Sequence, residues 1–81
     1  MQVKVKLFGG LKSGNTFPIN QEGDIIFEPQ GDITLGQLIE SLSLNKKPFI
    51  IVLNGIITND LSIKLKNGDE LSLFPPIAGG F

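Results

Sequence analysis

The chain has no cysteine, no histidine and no arginine among its 81 residues. The missing cysteine removes disulfides and thiol nucleophiles, and the missing histidine removes nearly all remaining zinc and transition-metal chemistry. No metal site is expected, so any sulfur or metal involved must come from outside the chain. Seven lysines against eight acids leave a net charge of −1, which gives no electrostatic footprint for nucleic acid or an anionic membrane. Long apolar runs are missing too: the longest hold about five residues, where a membrane span needs roughly 20. Met1-Gln2-Val3-Lys4 begins a strand pattern and not a signal peptide, so a cytoplasmic location is expected. With no His, no Cys and no paired-acid motif, the chain has little to offer as an enzyme.

What is present suits one domain, since a chain of this size buries little more than about 60% of its unfolded surface and needs most of its apolar side chains for one core. From Gln2 to Phe8, Val3, Val5 and Leu7 alternate with Lys4, Lys6 and Phe8, the period of a strand with one face in the core and a solvated lysine face. Gly9-Gly10 ends it as a turn, because no phosphate-loop spacing surrounds the pair. The stretch to Gly23 reads as a long hairpin connection anchored only by Phe17 and Ile19. Asp24 to Glu28 is a short strand, antiparallel to the first and stopped by Pro29-Gln30-Gly31-Asp32.

Thr34 opens the one convincing helix. Thr34 with Gln37 fits a capping box, and Leu35, Leu38, Ile39 and Leu42 form a single apolar stripe. The helix should fade near Ser43 to Asn45, ahead of Pro48. Phe49 to Leu53 is a continuous apolar run, the mark of a strand covered on both faces or nearly so. Asn54-Gly55 signals a tight hairpin to a return strand Ile56-Ile57-Thr58. A loop through Leu65 and the turn Asn67-Gly68-Asp69 then lead to a final strand, Glu70 to Phe74, in which Leu71 and Leu73 face one way and Ser72 and Phe74 the other. One helix on one face of a small mixed sheet is an α+β arrangement.

The organising stretch is the end of the chain. Pro75 and Pro76 close the last strand because proline has no N–H for a sheet ladder. Beyond them Gly79-Gly80 has no Cβ to restrict the backbone, so residues 77–81 read as a flexible C-terminal tail after a domain spanning residues 1–76. Phe81 then places a bulky ring after the diglycine.

Taken together, the order of elements, the Asn54-Gly55 turn, the Lys66-Asn67-Gly68-Asp69-Glu70-Leu71 approach and the Phe74-Pro75-Pro76-Ile77-Ala78-Gly79-Gly80 ending resemble the β-grasp sulfur carriers. The likeness is greatest to the MoaD-like small subunit of molybdopterin synthase, with the ThiS-like carrier of thiamine biosynthesis a more distant cousin. It covers nearly the whole chain, and Phe81 is a departure from it. The resemblance implies a ubiquitin-like β-grasp fold with the first and last strands side by side and parallel. It also implies that the chain is a cosubstrate and binds no cofactor itself. A ubiquitin-activating-type enzyme would use ATP and magnesium to adenylate Gly80, with Gly79 the slender approach to it. A sulfur donor would then leave a thiocarboxylate for a sulfur-accepting enzyme such as a molybdopterin synthase large subunit.

For Phe81 the resemblance implies a processing step at the Gly80–Phe81 bond, by a metalloprotease of the kind that trims ubiquitin-like proteins. Phe8, Phe74, Pro75, Pro76 and Ile77 are the expected partner-binding residues, with Phe8 and Phe74 meeting beside the tail and pointing away from the helix. Two other readings stay open: a ubiquitin-like modifier conjugated through Gly80, and an interaction module with an inert tail.

Overall fold

A computed structural model of the chain describes residues 1–76, and Ile77 to Phe81 lie outside the described residues. The expected tail, the diglycine and Phe81 fall on that segment. β1 (Val3–Leu7) and β2 (Ile25–Phe27) pair antiparallel, with Val3 opposite Phe27 and Val5 opposite Ile25. The helix α1 (Leu35–Leu42) follows, then β3 (Ile50–Leu53), β4 (Ile56–Ile57) and β5 (Glu70–Phe74). The strands lie in the order β2-β1-β5-β3-β4, and β1 runs parallel to β5 at the centre. This is the mixed sheet that the resemblance implied.

Local chemistry accounts for these elements. Both halves of the capping box at α1 form: Thr34 Oγ1 accepts from the Gln37 backbone N–H at 3.2 Å, and Gln37 Oε1 accepts from the Thr34 N–H at 2.9 Å. The next two orphan donors of the helix start, Leu35 N and Gly36 N, bond Ile63 O at 2.8 Å and Leu61 O at 2.9 Å, so an irregular segment does work that a longer helix would leave to water. In the same segment Asp60 accepts from the Ser62 hydroxyl at 2.6 Å and the Ser62 N–H at 3.0 Å. These bonds, the hydroxyl first, hold its carboxyl below the ordinary range.

The Asn54-Gly55 turn takes positive φ at both positions, 52° and 84°, as a two-residue hairpin requires. Its Asn54 side chain then ties this hairpin to the start of β5. Asn54 Oδ1 accepts from Glu70 N at 2.8 Å, and Nδ2 donates to Asp69 Oδ1 at 2.9 Å. Asp69 also accepts from Lys66 N at 2.7 Å, and Gln2 N donates to Asn67 Oδ1 at 2.8 Å. The Lys66–Glu70 approach is thus a clamp at one end of the sheet that fixes the register of β1, β3 and β5.

The core lies between the sheet and α1. Val3, Val5, Leu35, Leu38, Leu42, Leu71 and Leu73 are fully buried, each side chain contributing about 1.5–3 kcal/mol of transfer free energy. Two expectations, for Ile19 and for β3, are corrected, and one segment gains a role. The Ile19 side chain is 65% exposed and stays out of the core, its backbone only bridging Ile25, whereas Phe17 packs on Phe27 and the unremarked Leu11 enters the core. The loop through Leu65 is also part of the core, since Leu65 is buried and its N–H bonds Ile33 O at 2.9 Å. Finally, β3 buries only Ile51, because α1 covers one side of the sheet and Ile50 and Val52 face the other. Among the described residues no helix is long and apolar enough to cross a membrane.

Candidate functional site

The register set at the clamp decides what meets at the far end of the sheet. Parallel pairing runs from Lys4 opposite Glu70 to Leu7 opposite Leu73, and Phe8 N donates to Leu73 O at 3.0 Å. Phe8 is therefore carried alongside Phe74. Their rings stack with centroids 4.5 Å apart and planes within 4°. Alternation puts both on the face opposite α1, and Phe8 remains 42% exposed. Ile50 lies across from Phe74, Val52 across from Ser72, and Ile57 across from Val52. An apolar surface thus continues from the stacked rings over Ile50 and Val52 to Ile57 on the edge strand, with Lys4 and Lys6 beside it on β1.

The chain leaves the sheet through a narrow collar next to these rings. Gly9 has φ +63°, and a Cβ there would come within 2.6 Å of Pro75 Cδ. Glycine is required at this position on both counts, since an L side chain would be strained and would overlap the proline ring. Leu11 N closes the turn onto Phe8 O at 3.1 Å. The segment after α1 braces this turn: Asn45 Nδ2 donates to Gly10 O at 3.2 Å, and Asn45 Oδ1 accepts from Lys12 N at 2.7 Å. Pro75 is half-buried against Gly9 and Pro76 is exposed. With β1 pairing along β5 and Gly9 seated against Pro75, the end of β5 has a defined position beside an apolar face.

Of the expected site residues, the structure brings Phe8, Phe74, Pro75 and Pro76 together, whereas Ile77, Gly79, Gly80 and Phe81 lie outside the described residues. Sequence reasoning missed Gly9 and Asn45, whose roles depend on contacts distant in sequence. It also missed the extension of the apolar face through Ile50, Val52 and Ile57. The period-two alternation of β3, combined with a helix on one side only, would have revealed that extension.

Comparison with known proteins places this geometry. A model described as the ThiS family matches residues 5–80. The molybdopterin synthase sulfur carrier subunit of Anopheles gambiae is 33% identical over 86 residues, covering 96% of this chain and 93% of that one. Among solved structures, a chain from the complex of subunits 1 and 2 of molybdopterin-converting factor from Helicobacter pylori 26695 is similar with a TM-score of 0.64 and 30% identity, over 99% of this chain and 100% of that one. SAMP1 from Haloferax volcanii shares the fold with a TM-score of 0.66 at 24% identity, over 99% and 100% of the two chains.

Proposed function

The chain belongs to the ThiS family, and from that premise we propose that it is a sulfur carrier, a cosubstrate subunit with no catalysis of its own, for molybdopterin or related biosynthesis. The observation that carries the reading is the family match to Gly80, joined to a sheet whose last strand ends in a collar beside an apolar face.

In this reading Gly80 supplies the reacting carboxylate. A carboxylate is a poor electrophile, so a ubiquitin-activating-type enzyme first transfers AMP from magnesium-ATP to it and releases pyrophosphate. Sulfide then attacks the carbonyl carbon and expels AMP, leaving the thiocarboxylate. A protein persulfide serves equally, with a second thiol cleaving the acyl disulfide it forms. The chain's own contribution is shape: glycine at positions 79 and 80 keeps the approach to the carbonyl slender and its φ/ψ unrestricted inside a closed channel. The apolar face with Phe8, Phe74, Pro75, Pro76 and Ile77 is the docking surface for the activating enzyme and for a sulfur-accepting large subunit. The complexed relative from Helicobacter pylori supports the second of these partners.

Phe81 lies beyond the family match. A ring at that position does not suit a glycine-shaped channel, so a peptidase such as a metalloprotease cuts the Gly80–Phe81 bond before activation. The test compares the 81-residue chain with one ending at Gly80, each given ATP, sulfide and the cognate activating enzyme, by intact mass. Only the shorter chain should gain the mass difference of sulfur for oxygen, and equal conversion of both would remove the trimming step. In the shorter chain, Gly80→Ala should abolish ATP–pyrophosphate exchange without changing thermal unfolding; undiminished exchange would refute Gly80 as the reacting residue. Isopeptide-linked chain in native cells, with no thiocarboxylate, would replace the carrier by a modifier.

A further inference from the structure

The two edges of the sheet are finished differently. At the β2 edge the outward Ile26 N–H is taken by Pro18 O at 2.8 Å, Ile19 bridges Ile25, and Asp24 and Glu28 flank the strand. That edge is covered and charged, two devices by which a sheet avoids pairing with another chain. The β4 edge has neither. Residues 48–59 hold no charged side chain, and Ile56 and Ile57 are 70% and 71% exposed. The backbone there is open as well. Ile57 lies directly opposite Val52, and the next residue, Thr58, donates to Ile51 O at 3.0 Å. Bonded and non-bonded positions alternate along an antiparallel pair, so the N–H and C=O of Ile57 turn away from β3 and out of the sheet. Neither group has a backbone partner among the described residues.

We propose that this edge pairs with the β4 edge of a second copy of the chain, antiparallel about a two-fold axis at Ile57. An axis there sets the two Ile57 residues opposite each other, exchanging both N–H···O=C bonds, and sets each Ile56 opposite Thr58 of the other copy. All of these side chains are β-branched, the kind that suits cross-strand pairs. Charge is what selects a second copy as the occupant. At the axis a side chain meets its own kind, so a lysine or an acid there would face a like charge. This strand has none, and the whole chain carries a net charge of only −1, so two copies repel little. A stable specific interface buries about 1,200–2,000 Å², more than a two-residue strand and its turn supply. The dimer is therefore weak, formed at millimolar and lost at micromolar concentration. It sets two five-stranded sheets edge to edge and carries the apolar face from Phe8 to Ile57 across the junction. None of this depends on the sulfur-carrier reading.

Sedimentation and amide NMR spectra from micromolar to millimolar protein, with no enzyme present, test the pairing. The chain should pass from monomer to dimer over that range, with concentration-dependent shifts centred on residues 55–59. Ile57→Lys and Ile57→Glu, at this exposed position, should each keep the native thermal unfolding and stay monomeric, because like charges then meet at the axis. Mixed in equal amounts, the two variants should associate, since opposite charges now face each other there. A wild-type chain that stays monomeric throughout overturns the proposal, and that dilution series stands even where a variant fails to fold. Association that survives in both charged variants, with shifts at Phe8 and Phe74, also overturns it by placing the junction on the apolar face. Failure of the mixture to associate would refute the axis at Ile57.

Discussion

On the helix side of the sheet Val3, Val5, Leu71 and Leu73 have at most 1% of their surface exposed, while on the other side Phe8 keeps 42% and Phe74, Ile50 and Val52 are only partly buried. The side chains are of similar kinds, and they come from neighbouring strands of one sheet. The difference comes from having one helix, whose stripe of Leu35, Leu38 and Leu42 closes only one face. An apolar surface that a domain leaves uncovered beside the point where its chain departs is suited to being covered by a partner. Burial on one side holds the fold together; on the other side, under the proposed docking, it would be completed only by a partner.

The largest effect should come from the covered face. Leu38 is fully buried at the middle of α1, so Leu38→Ala should cost about 2–5 kcal/mol, a large share of the roughly 5–15 kcal/mol by which a domain is stable. Urea unfolding should show a lower midpoint with an unchanged slope. A loss under about 1 kcal/mol would mean that the core on this side is looser than its burial indicates.

The replacement of both Phe8 and Phe74 by Ser comes next. It removes the stacked pair and partial burial, about 1–2 kcal/mol together, yet should leave the fold intact and weaken binding to the activating enzyme. Unfolding of the double variant would make the rings part of the core and end the contrast between the two faces.

Much of this was legible in the sequence because it is local. The capping box at Thr34 and Gln37, the Asn54-Gly55 hairpin and the alternation in β1 and β5 each lie within a few residues, and all three formed where expected. That Phe8 and Phe74 meet followed once the parallel pairing was supplied by resemblance, although their stacking did not. What escaped notice is long-range. Leu11 and Leu65 sit in segments without periodicity, and their burial depends on backbone bonds such as Leu65 N to Ile33 O. Gly9 reads as an ordinary turn glycine until Pro75 is brought against it. The five-residue run from Phe49 reads as doubly covered, because a continuous apolar run does not reveal whether a second layer exists.

The smallest effect offers the sharpest comparison, because β4 carries two neighbouring isoleucines with almost equal exposure, Ile56 at 70% and Ile57 at 71%. They point to opposite faces. Ile57 lies across from Val52 and continues the surface that starts at Phe8, whereas Ile56 lies across from Leu53 on the helix side. Each replaced by Thr keeps a β-branched side chain suited to a strand, and at such exposed sites stability should move by no more than about 0.5 kcal/mol. Binding to the activating enzyme should separate them. Ile57→Thr should weaken it, though less than the loss of the two rings nearer the collar, and Ile56→Thr should leave it unchanged. Calorimetric titration of the two variants reads this directly. An equal loss in both would mean that the partner recognises the sheet edge and not the face, and no loss in either would confine the docking surface to Phe8, Phe74 and the prolines beside them.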